Sequence, residues 1–211
     1  MNERRTVLVT GGTRGIGREV VRLLAPTWRV LVGGTDAARV AAVVDECPDA
    51  AGFVADLADE AATAAAASGI GRLDAVVHSA GLATRGTSTE QARHEWRRVL
   101  ELNVIAVSHL TALLLPRLRE SGGQVVVINS GSGLRAGAGN GLYAASKFAL
   151  RAWTDALRAE EQGRVRVVSI HPGRVDTDMQ HELLESEGRP YEPEKLLKPE
   201  TRQKGKEQVK E

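Results

Sequence analysis

A tyrosine and a lysine four residues apart, Tyr143 and Lys147, are the side chains of this sequence best suited to acid–base chemistry. Four residues is about one helical turn, so both side chains lie on one face of a predicted helix. A free tyrosine, with a pKa of about 10, exchanges protons poorly near neutral pH, and a fixed cation beside it favours the phenolate. The same spacing also occurs on ordinary exposed helices. The pair indicates a catalytic site only because its helix follows the fifth predicted strand, at the carboxyl end of the sheet, where open α/β folds bind ligands.

Two further polar residues are candidates for the same site. Ser130 ends a predicted strand thirteen residues before Tyr143, and its hydroxyl can hydrogen-bond a substrate oxygen on which charge develops. The neighbouring Ser132 is a rival for that role, and a simple turn serine is the alternative. Asn103 lies among apolar neighbours in a predicted long helix and needs a hydrogen-bond partner, as an ordinary core asparagine also does.

A glycine-rich segment, residues 10–17 (TGGTRGIG), follows the first predicted strand and opens the first predicted helix. This context is typical of a dinucleotide-binding loop. Gly11 suits a tight turn, Gly15 lets a pyrophosphate approach the backbone, and Gly17 lets helix and strand pack closely. The helix start then offers unpaired amides and its positive dipole end to phosphates.

The second predicted strand runs into Gly33-Gly34-Thr35-Asp36, where the chain should meet the adenosine ribose. A site selective for NAD carries an acidic residue at the strand end, and here that position is Gly34. Arg14 and the Thr35 hydroxyl can instead bind a 2′-phosphate, while Asp36 is better explained as the N-cap of the next helix. The sequence therefore favours NADP(H) over NAD(H), with an ordinary solvated arginine as the alternative for Arg14.

These residues must be positioned by alternating strands and helices. Apolar, β-branched runs predict six strands at residues 5–10, 29–32, 52–55, 73–78, 124–129 and 165–170. Helical periodicity predicts helices at 16–25, 36–46, 59–68, roughly 89–119 and 142–162. Strands without a polar face suit a parallel sheet covered on both sides. We therefore expect a Rossmann-type α/β fold, a doubly wound parallel sheet between two helical layers, in a single domain.

Composition excludes several other classes of protein. The 211 residues carry 28 Lys and Arg against 27 Asp and Glu, which leaves a net charge of +1 and no basic field for nucleic acid or an anionic membrane. The single cysteine, Cys47, excludes an intrachain disulfide framework and a Cys-rich zinc site, and we predict no metal site. No segment reaches about 20 continuous apolar residues, and the N-terminal apolar run is too short for a secretory signal. We expect a cytoplasmic protein.

The C-terminal end differs in composition. Five of the six lysines lie in the last seventeen residues, whereas the rest of the chain uses arginine almost exclusively. From residue 201 onward only Val209 is large and apolar, so this end has little surface to bury. We therefore predict a nucleotide-binding domain over residues 1–190 and a polar, lysine-rich tail over 191–211, either disordered or a solvated helix.

Taken together, the motifs resemble the classical short-chain dehydrogenase/reductase family over residues 5 to about 180. Asn103, Ser130, Tyr143 and Lys147 match its catalytic tetrad, and residues 172–177 (PGRVDT) match the segment that lines the nicotinamide. Asp56 matches its adenine-contacting acidic residue, while His78-Ser79 stand where the family has two asparagines. The cofactor-binding positions that this resemblance and the glycine loop imply are Gly11, Thr13, Arg14, Gly15, Ile16, Gly17, Thr35, Asp56, Leu57, Ser79, Ala80, Gly81, Tyr143, Lys147, Pro172, Gly173, Val175 and Thr177.

The resemblance implies hydride transfer between NADP(H) and a small carbonyl or alcohol substrate. Tyr143 would exchange the proton, Ser130 would hold the substrate oxygen, and Lys147 would favour the tyrosinate and hold the nicotinamide ribose. Asn103 would position a water that links Lys147 to solvent, while Val175 and Thr177 would fix the carboxamide.

The resemblance implies a homodimer or homotetramer whose subunits meet through the helices at 89–119 and 142–162. Loops at 82–88, 134–141 and 179 to about 191 would set specificity. Arg85 and Arg135 could meet an acidic substrate or carrier, with an ordinary solvated arginine as the favoured alternative at each position. We expect the family's last strand to be absent, and the exchange at His78-Ser79 to loosen the fourth strand.

One other interpretation remains open, a protein of the same fold that binds a nucleotide with weak or no catalysis, since a fold does not guarantee turnover. A sugar-nucleotide epimerase or dehydratase normally needs a longer substrate domain, for which we expect 211 residues to leave no room.

Overall fold

The fold is built on one parallel sheet. The computed structural model describes residues 4–173, 175, 177–186, 190–192 and 196. Within this part of the chain six parallel strands lie in the order β3-β2-β1-β4-β5-β6. Their bounds are β1 Thr6–Thr10, β2 Arg29–Gly34, β3 Ala50–Val54, β4 Ala75–His78, β5 Gln124–Ile128 and β6 Arg166–Ile170. The six predicted strands are confirmed, with ends that shift by one or two residues.

Helices cover the sheet on both faces. They are α1 Gly15–Leu24, α2 Ala37–Asp45, α3 Glu60–Ser68, α4 Arg93–Leu100, α5 Ala106–Ser121, α6 Gly141–Glu160 and α7 Asp178–Ser186. Alternate strand residues face opposite layers. Val7 and Val9 of β1 pack with α1 and α2, whereas Leu8 packs with α3, α5 and α6. The expected three-layer, doubly wound fold is confirmed.

Local capping explains where two helices begin. The Asp36 carboxylate accepts hydrogen bonds from the amides of Ala38 and Arg39, at 2.9 and 3.1 Å, and starts α2. Asp59 accepts from Ala62 at 2.9 Å and starts α3 in the same way. These bonds satisfy amides that have no partner within a helix, as expected for N-cap aspartates.

Two predicted segments were wrong in detail. The single helix expected at roughly 89–119 is two helices, α4 and α5, joined by a π-helical turn at Glu101–Ile105. The segment from Met179 to about Tyr191, expected to be a loop, contains α7. A nine-residue helix that buries Leu184 carries too few apolar positions to show a clear period, so packing rather than pattern reveals it.

Taken through its π turn, the helix from Arg93 to Ser121 is long and apolar enough to span a membrane. Leu110, Leu114 and Leu118 are fully buried in the core between α5 and the sheet, which is typical of a core helix in a folded domain. The predicted tail at 191–211 lies outside the described residues, apart from 191, 192 and 196, and stays a prediction.

Candidate functional site

A crevice of about 300 Å³ opens at the carboxyl ends of the strands. The strand order reverses between β1 and β4, and such a switch point is where open α/β sheets bind ligands. Fourteen of the predicted site positions line the crevice: Gly11, Thr13, Arg14, Gly15, Ile16, Thr35, Asp56, Leu57, Ser79, Ala80, Gly81, Tyr143, Lys147 and Thr177. Asn103, Ser130, Gly17, Pro172, Gly173 and Val175 lie outside this lining.

The glycine loop has the shape of a cradle for a phosphate. Gly15 has a φ of 53°, a conformation that side chains with a Cβ rarely adopt. A Cβ on Gly17 would lie 2.2 Å from the Gly11 carbonyl oxygen, so only glycine lets α1 start this close to the turn. Among the described residues no side-chain hydrogen bond caps α1, so its first amides can bind an anion. The loop fits a dinucleotide pyrophosphate.

The other end of the crevice, past β2, has no acidic side chain at the strand end. A Cβ on Gly34 would lie 2.8 Å from Val40 and 3.0 Å from Thr13, so a carboxylate does not fit there without rearrangement. The Asp36 carboxylate is occupied as the N-cap of α2. Arg14 and Thr35 both line the crevice. Arg14 also forms an exposed ion pair with Glu182 of α7 at 3.2 Å.

Tyr143, Ser130 and Lys147 come together where β5 meets α6. The Lys147 Nζ lies 5.8 Å from the centre of the Tyr143 ring. Burial raises the pKa of the Tyr143 phenol, while a hydrogen bond from Ser130 and the positive charge of Arg85 act in the opposite direction. The phenol is therefore protonated at neutral pH and has a hydroxyl partner that stabilises its anion.

The contacts of Ser130 and Ser132 show which of the two serines lies beside the phenol. The Ser130 oxygen accepts a hydrogen bond from the Ser132 amide at 3.1 Å, and the Ser130 hydroxyl acts to lower the pKa of the Tyr143 phenol. The Ser132 hydroxyl accepts from Asn140 at 2.9 Å. Ser130 is thus the serine that the structure brings to the phenol.

Lys147 is buried at the crevice wall. Its side chain is only 5 % exposed, and the ammonium donates to the Ile128 carbonyl at 3.2 Å. Burial lowers the pKa of this ammonium to about 8. Asn129, which the sequence analysis did not single out, ties the strand end to the same helix turn through a 3.3 Å bond to the Lys147 carbonyl.

Asn103 lies in the π turn and binds the loop after β4. Its Oδ1 accepts from the Leu82 amide at 2.8 Å, and its Nδ2 donates to the Leu82 carbonyl at 2.8 Å and to Ser146 at 3.0 Å. Both amide hydrogens therefore bond to protein acceptors, and the second lone pair of Oδ1, beside the bond from Leu82, is left for the water that the resemblance implies. Gly81 lies between Asn103 and Lys147, because a Cβ there would lie 3.2 Å from Oδ1 and 3.8 Å from Nζ.

The end of β4 is held by residues that the sequence did not reveal. The Thr10 hydroxyl accepts from the amides of Ser79 and Ala80, at 3.1 Å each. His78 is buried and lies 2.9 Å from Thr111 of α5. Thr10 and Thr111 supply hydrogen bonds at this point, and the loosening expected from His78-Ser79 stays a prediction.

The segment after β6 closes the crevice from the other side. Thr177 lines the crevice, and its Cγ2 is 3.4 Å from the position of a Cβ on Gly15. Pro172 continues the pairing of β5 and β6, since its carbonyl accepts from Gly131 at 3.2 Å. Arg174 and Asp176, within the predicted 172–177 motif, lie outside the described residues.

The loop after β4 is fixed against the start of α6. Gly86 donates to the Gly139 carbonyl at 3.1 Å and forms a bridge with Asn140. This pairing keeps Arg85 close enough to Tyr143 for its charge to oppose the rise that burial causes in the phenol's pKa. Two of the predicted specificity loops, 82–88 and 134–141, therefore meet beside the phenol.

Comparison with known proteins agrees with this geometry. The family described as short chain dehydrogenase matches residues 5–188. The Dehydrogenase/reductase SDR family member 7B of Bos taurus is 34% identical over 204 residues, which cover 88% of this chain and 62% of that protein. The L-fucose dehydrogenase of Bos taurus is 36% identical over 189 residues, which cover 86% of this chain and 70% of that protein. The chain thus spans less than two thirds of the length of the first of these relatives.

Solved structures give the same result. A short chain dehydrogenase from Shigella flexneri, complexed with NADP, superposes with a TM-score of 0.84 at 33% identity, over 92% of this chain and 86% of that one. The fold, the order of the motifs and the similarity along most of the sequence agree. The chain belongs to the short-chain dehydrogenase family.

Proposed function

We propose that this protein is an NADP(H)-dependent oxidoreductase that interconverts a carbonyl compound and the corresponding alcohol. The observation that carries this proposal is the cluster of Tyr143, Ser130 and Lys147 beside a crevice with a glycine cradle. Similarity to dehydrogenases over most of the chain supports the same reaction class. The substrate lies beside the Tyr143 phenol, between the loops at 82–88 and 134–141.

The residues of the crevice fit the cofactor. The glycine loop and the first amides of α1 hold the pyrophosphate. Asp56, whose carboxylate caps the Ala58 amide at 3.0 Å, and Leu57 border the adenine, while Val175 and Thr177 hold the carboxamide. The cofactor supplies the hydride that reduces the carbonyl carbon. The solved relative from Shigella flexneri that holds NADP supports this choice.

Selection for the 2′-phosphate follows from two features of the strand end after β2. Gly34 leaves no carboxylate to repel a phosphate, and Asp36 is committed to its helix cap. Arg14 offers a guanidinium that can bind a phosphate in a bidentate manner. We therefore expect tighter binding of NADPH than of NADH.

The proton steps are assigned to the protein's own side chains. In reduction, the Tyr143 phenol gives its proton to the substrate oxygen as that oxygen becomes negatively charged, and Ser130 donates a hydrogen bond to the same oxygen. In oxidation, the tyrosinate takes the proton back. The Lys147 ammonium stabilises the tyrosinate and binds the nicotinamide ribose, and the oxygen of Asn103 holds the water that returns protons to Lys147.

The assembly and location belong to the same proposal. Ile105 and Phe148 are 53% and 42% exposed on the helices expected to form the oligomer contact. Burying such side chains against a second copy favours a homodimer or homotetramer. The balanced net charge of +1 and the single cysteine support the proposal of a cytoplasmic location.

The test is Tyr143→Phe, assayed for turnover with NADPH, NADH and a panel of ketones and aldehydes. Loss of the phenol removes the proton donor, so we expect turnover to fall by about 10²- to 10⁴-fold while NADPH binding persists. Titration of the wild-type protein with both nucleotides checks the preference for NADPH. Retained turnover in the variant would refute the role of Tyr143, and nucleotide binding without any turnover in the wild type would favour the non-catalytic alternative.

A further inference from the structure

The backbone amide and carbonyl of Ser130 form no hydrogen bond with a neighbouring strand. On either side of it the pairing of β5 and β6 continues, with Asn129 donating to the Ile170 carbonyl at 2.8 Å and Gly131 to the Pro172 carbonyl at 3.2 Å. The amide and carbonyl of Ser130 take no part in this ladder, and the carbonyl accepts instead from the Gly133 amide of the following turn at 2.9 Å. Partly buried backbone groups need partners, and side chains supply the one for the Ser130 amide and a second one for its carbonyl.

Two side chains hold the backbone of Ser130. The Asn129 Oδ1 accepts from the Ser130 amide at 2.9 Å. The His171 Nδ1 lies 2.9 Å from the Ser130 carbonyl oxygen. Ser130 itself is fully extended, with a φ of −162° and a ψ of 157°, so the two bonds act on a straight segment that ends β5. The peptide groups before and after Ser130 are thereby both fixed.

The partners of the His171 ring decide which nitrogen carries the hydrogen. A carbonyl oxygen only accepts, so Nδ1 is the donor to Ser130. Nε2 lies 3.0 Å from the Ser169 hydroxyl, which donates to it when the ring is neutral. Ser169 on β6 therefore holds the ring in the orientation and the tautomer that the Ser130 carbonyl requires.

The direction of the Ser130 hydroxyl depends on these bonds. Its oxygen accepts from the Ser132 amide, which leaves its hydrogen for Tyr143. A rotation of the peptide group after Ser130 would move the Ser132 amide and the hydroxyl together. A small misplacement of such a group costs a large part of the rate.

We propose that His171 is a positioning residue for Ser130: by holding the Ser130 carbonyl from the end of β6, it aims the Ser130 hydroxyl at Tyr143 and at the substrate oxygen. This role rests on the proposed function for its effect on catalysis. Its effect on the phenol does not, because Ser130 acts on the pKa of Tyr143 in the protein without substrate.

The first experiment reads the phenol directly. In a Tyr191→Phe background Tyr143 is the one tyrosine of the chain, and the ultraviolet absorbance of tyrosinate reports its pKa. We expect His171→Leu to raise this pKa, as Ser130→Ala does, because the bond that stabilises the tyrosinate is lost. His171→Asn keeps an amide hydrogen near the position of Nδ1 and should leave the pKa close to that of the parent. Arg85 and Lys147, the other charged groups near the phenol, are unchanged in all variants.

The second experiment reads catalysis. We expect His171→Leu to lower kcat by about 10- to 100-fold with little change in NADPH binding. In His171→Leu the pH at which the rate of alcohol oxidation begins to rise should also increase. In His171→Asn both kcat and this pH should return to their wild-type values. His94→Leu, which removes an exposed histidine on α4, is the matched control and should behave as wild type.

The outcomes separate this proposal from the proposed function. If the wild type shows no turnover, the proposed function fails, and the tyrosinate titration still decides the role of His171. An unchanged Tyr143 pKa in His171→Leu overturns the positioning role. So does a pKa in His171→Asn that rises as far as in His171→Leu, since a loss of ring packing would then explain both.

Discussion

At the scale of single residues, burial and hydrogen-bond partners set the protonation states in this protein. His78 shows this most clearly, because it is fully enclosed between β4 and α5. The Thr111 hydroxyl donates to the Val107 carbonyl at 2.7 Å, so the His78 Nε2 must donate to Thr111. The Nδ1 atom has no partner among the described residues, and burial lowers the pKa of the ring to about 4.

This environment predicts a loss of stability in mild acid. The ring has a pKa of 6.5 in the unfolded chain, so between pH 6.5 and 4 it is protonated when unfolded and neutral when folded. Unfolding in this range therefore takes up a proton, and acid favours it. Above pH 6.5 His78 costs no stability. As pH falls from 6.5 to 4, the unfolding free energy decreases because of this ring, and the decrease reaches about 3 kcal/mol at pH 4. The measurement is urea unfolding at a series of pH values.

The matched variant is His78→Asn, whose amide can still donate to Thr111 and does not titrate. Its unfolding free energy should change less with pH between 6.5 and 4 than that of the wild type. Equal pH dependence in the two proteins would show that the ring is not the group responsible.

At the scale of elements, the π turn between α4 and α5 places a polar side chain inside the fold. The turn closes through a bond from the Ala106 amide to the Glu101 carbonyl, five residues back. Its Asn103 side chain then reaches the loop after β4 and Ser146 on α6. Three separate elements at the edge of the crevice are thereby joined by one amide.

Asn103→Ala should destabilise the protein and disturb the site. It leaves the Leu82 amide and carbonyl without their partners, and each unsatisfied buried group is costly, so we expect a loss of about 2–4 kcal/mol. Activity should fall as well, because Leu82 lines the crevice. Chemical unfolding measures the first effect, and turnover under folded conditions measures the second.

Ser68→Ala is the control for this variant. It removes an exposed hydroxyl that bonds only within α3, to the Ala65 carbonyl at 2.7 Å, and should change stability by less than about 0.5 kcal/mol. A similarly small effect of Asn103→Ala would mean that the Leu82 groups find other partners.

At the scale of the whole molecule, the site and the Arg119–Glu161 ion pair lie at opposite ends of α6. Tyr143 is in the first turn of the helix, while Glu161 follows its last residue, a helix length of about 27 Å away. The Glu161 carboxylate is 3% exposed and accepts from Arg119 of α5 at 2.5 and 3.0 Å. The hydrogen bond from Arg119 lowers the pKa of Glu161.

Glu161→Gln should therefore lower stability without changing the chemistry. We expect Tm at neutral pH to fall by a few degrees, since the charged pair that joins the ends of α5 and α6 is weakened. Turnover well below Tm should match the wild type. In the wild type this contribution is present above the ordinary glutamate pKa and is lost as pH falls through the lowered one, so the two proteins should become alike in acid.

Thermal unfolding at neutral and acidic pH, together with a turnover assay, checks both statements. A large loss of activity in Glu161→Gln at low temperature would show that the far end of α6 controls the site, contrary to this view.

The sequence by itself determined the features that depend on neighbouring residues. The glycine loop, the N-caps at Asp36 and Asp59 and the one-turn spacing of Tyr143 and Lys147 all follow from local backbone geometry and helical period. The parallel sheet and the three-layer packing were also predictable, because alternating apolar strands and helices leave few ways to cover a parallel sheet.

Tertiary structure alone decided the features that join distant parts of the chain. Thirty-three residues separate His78 from Thr111, and 41 separate Ser130 from His171. No local pattern encodes such pairs, so the sequence left Ser130 and Ser132 as rivals and missed α7. The sequence thus supplied the reacting groups, and packing decided how each is held, because a hydrogen bond across the fold forms only where the folded chain brings donor and acceptor together.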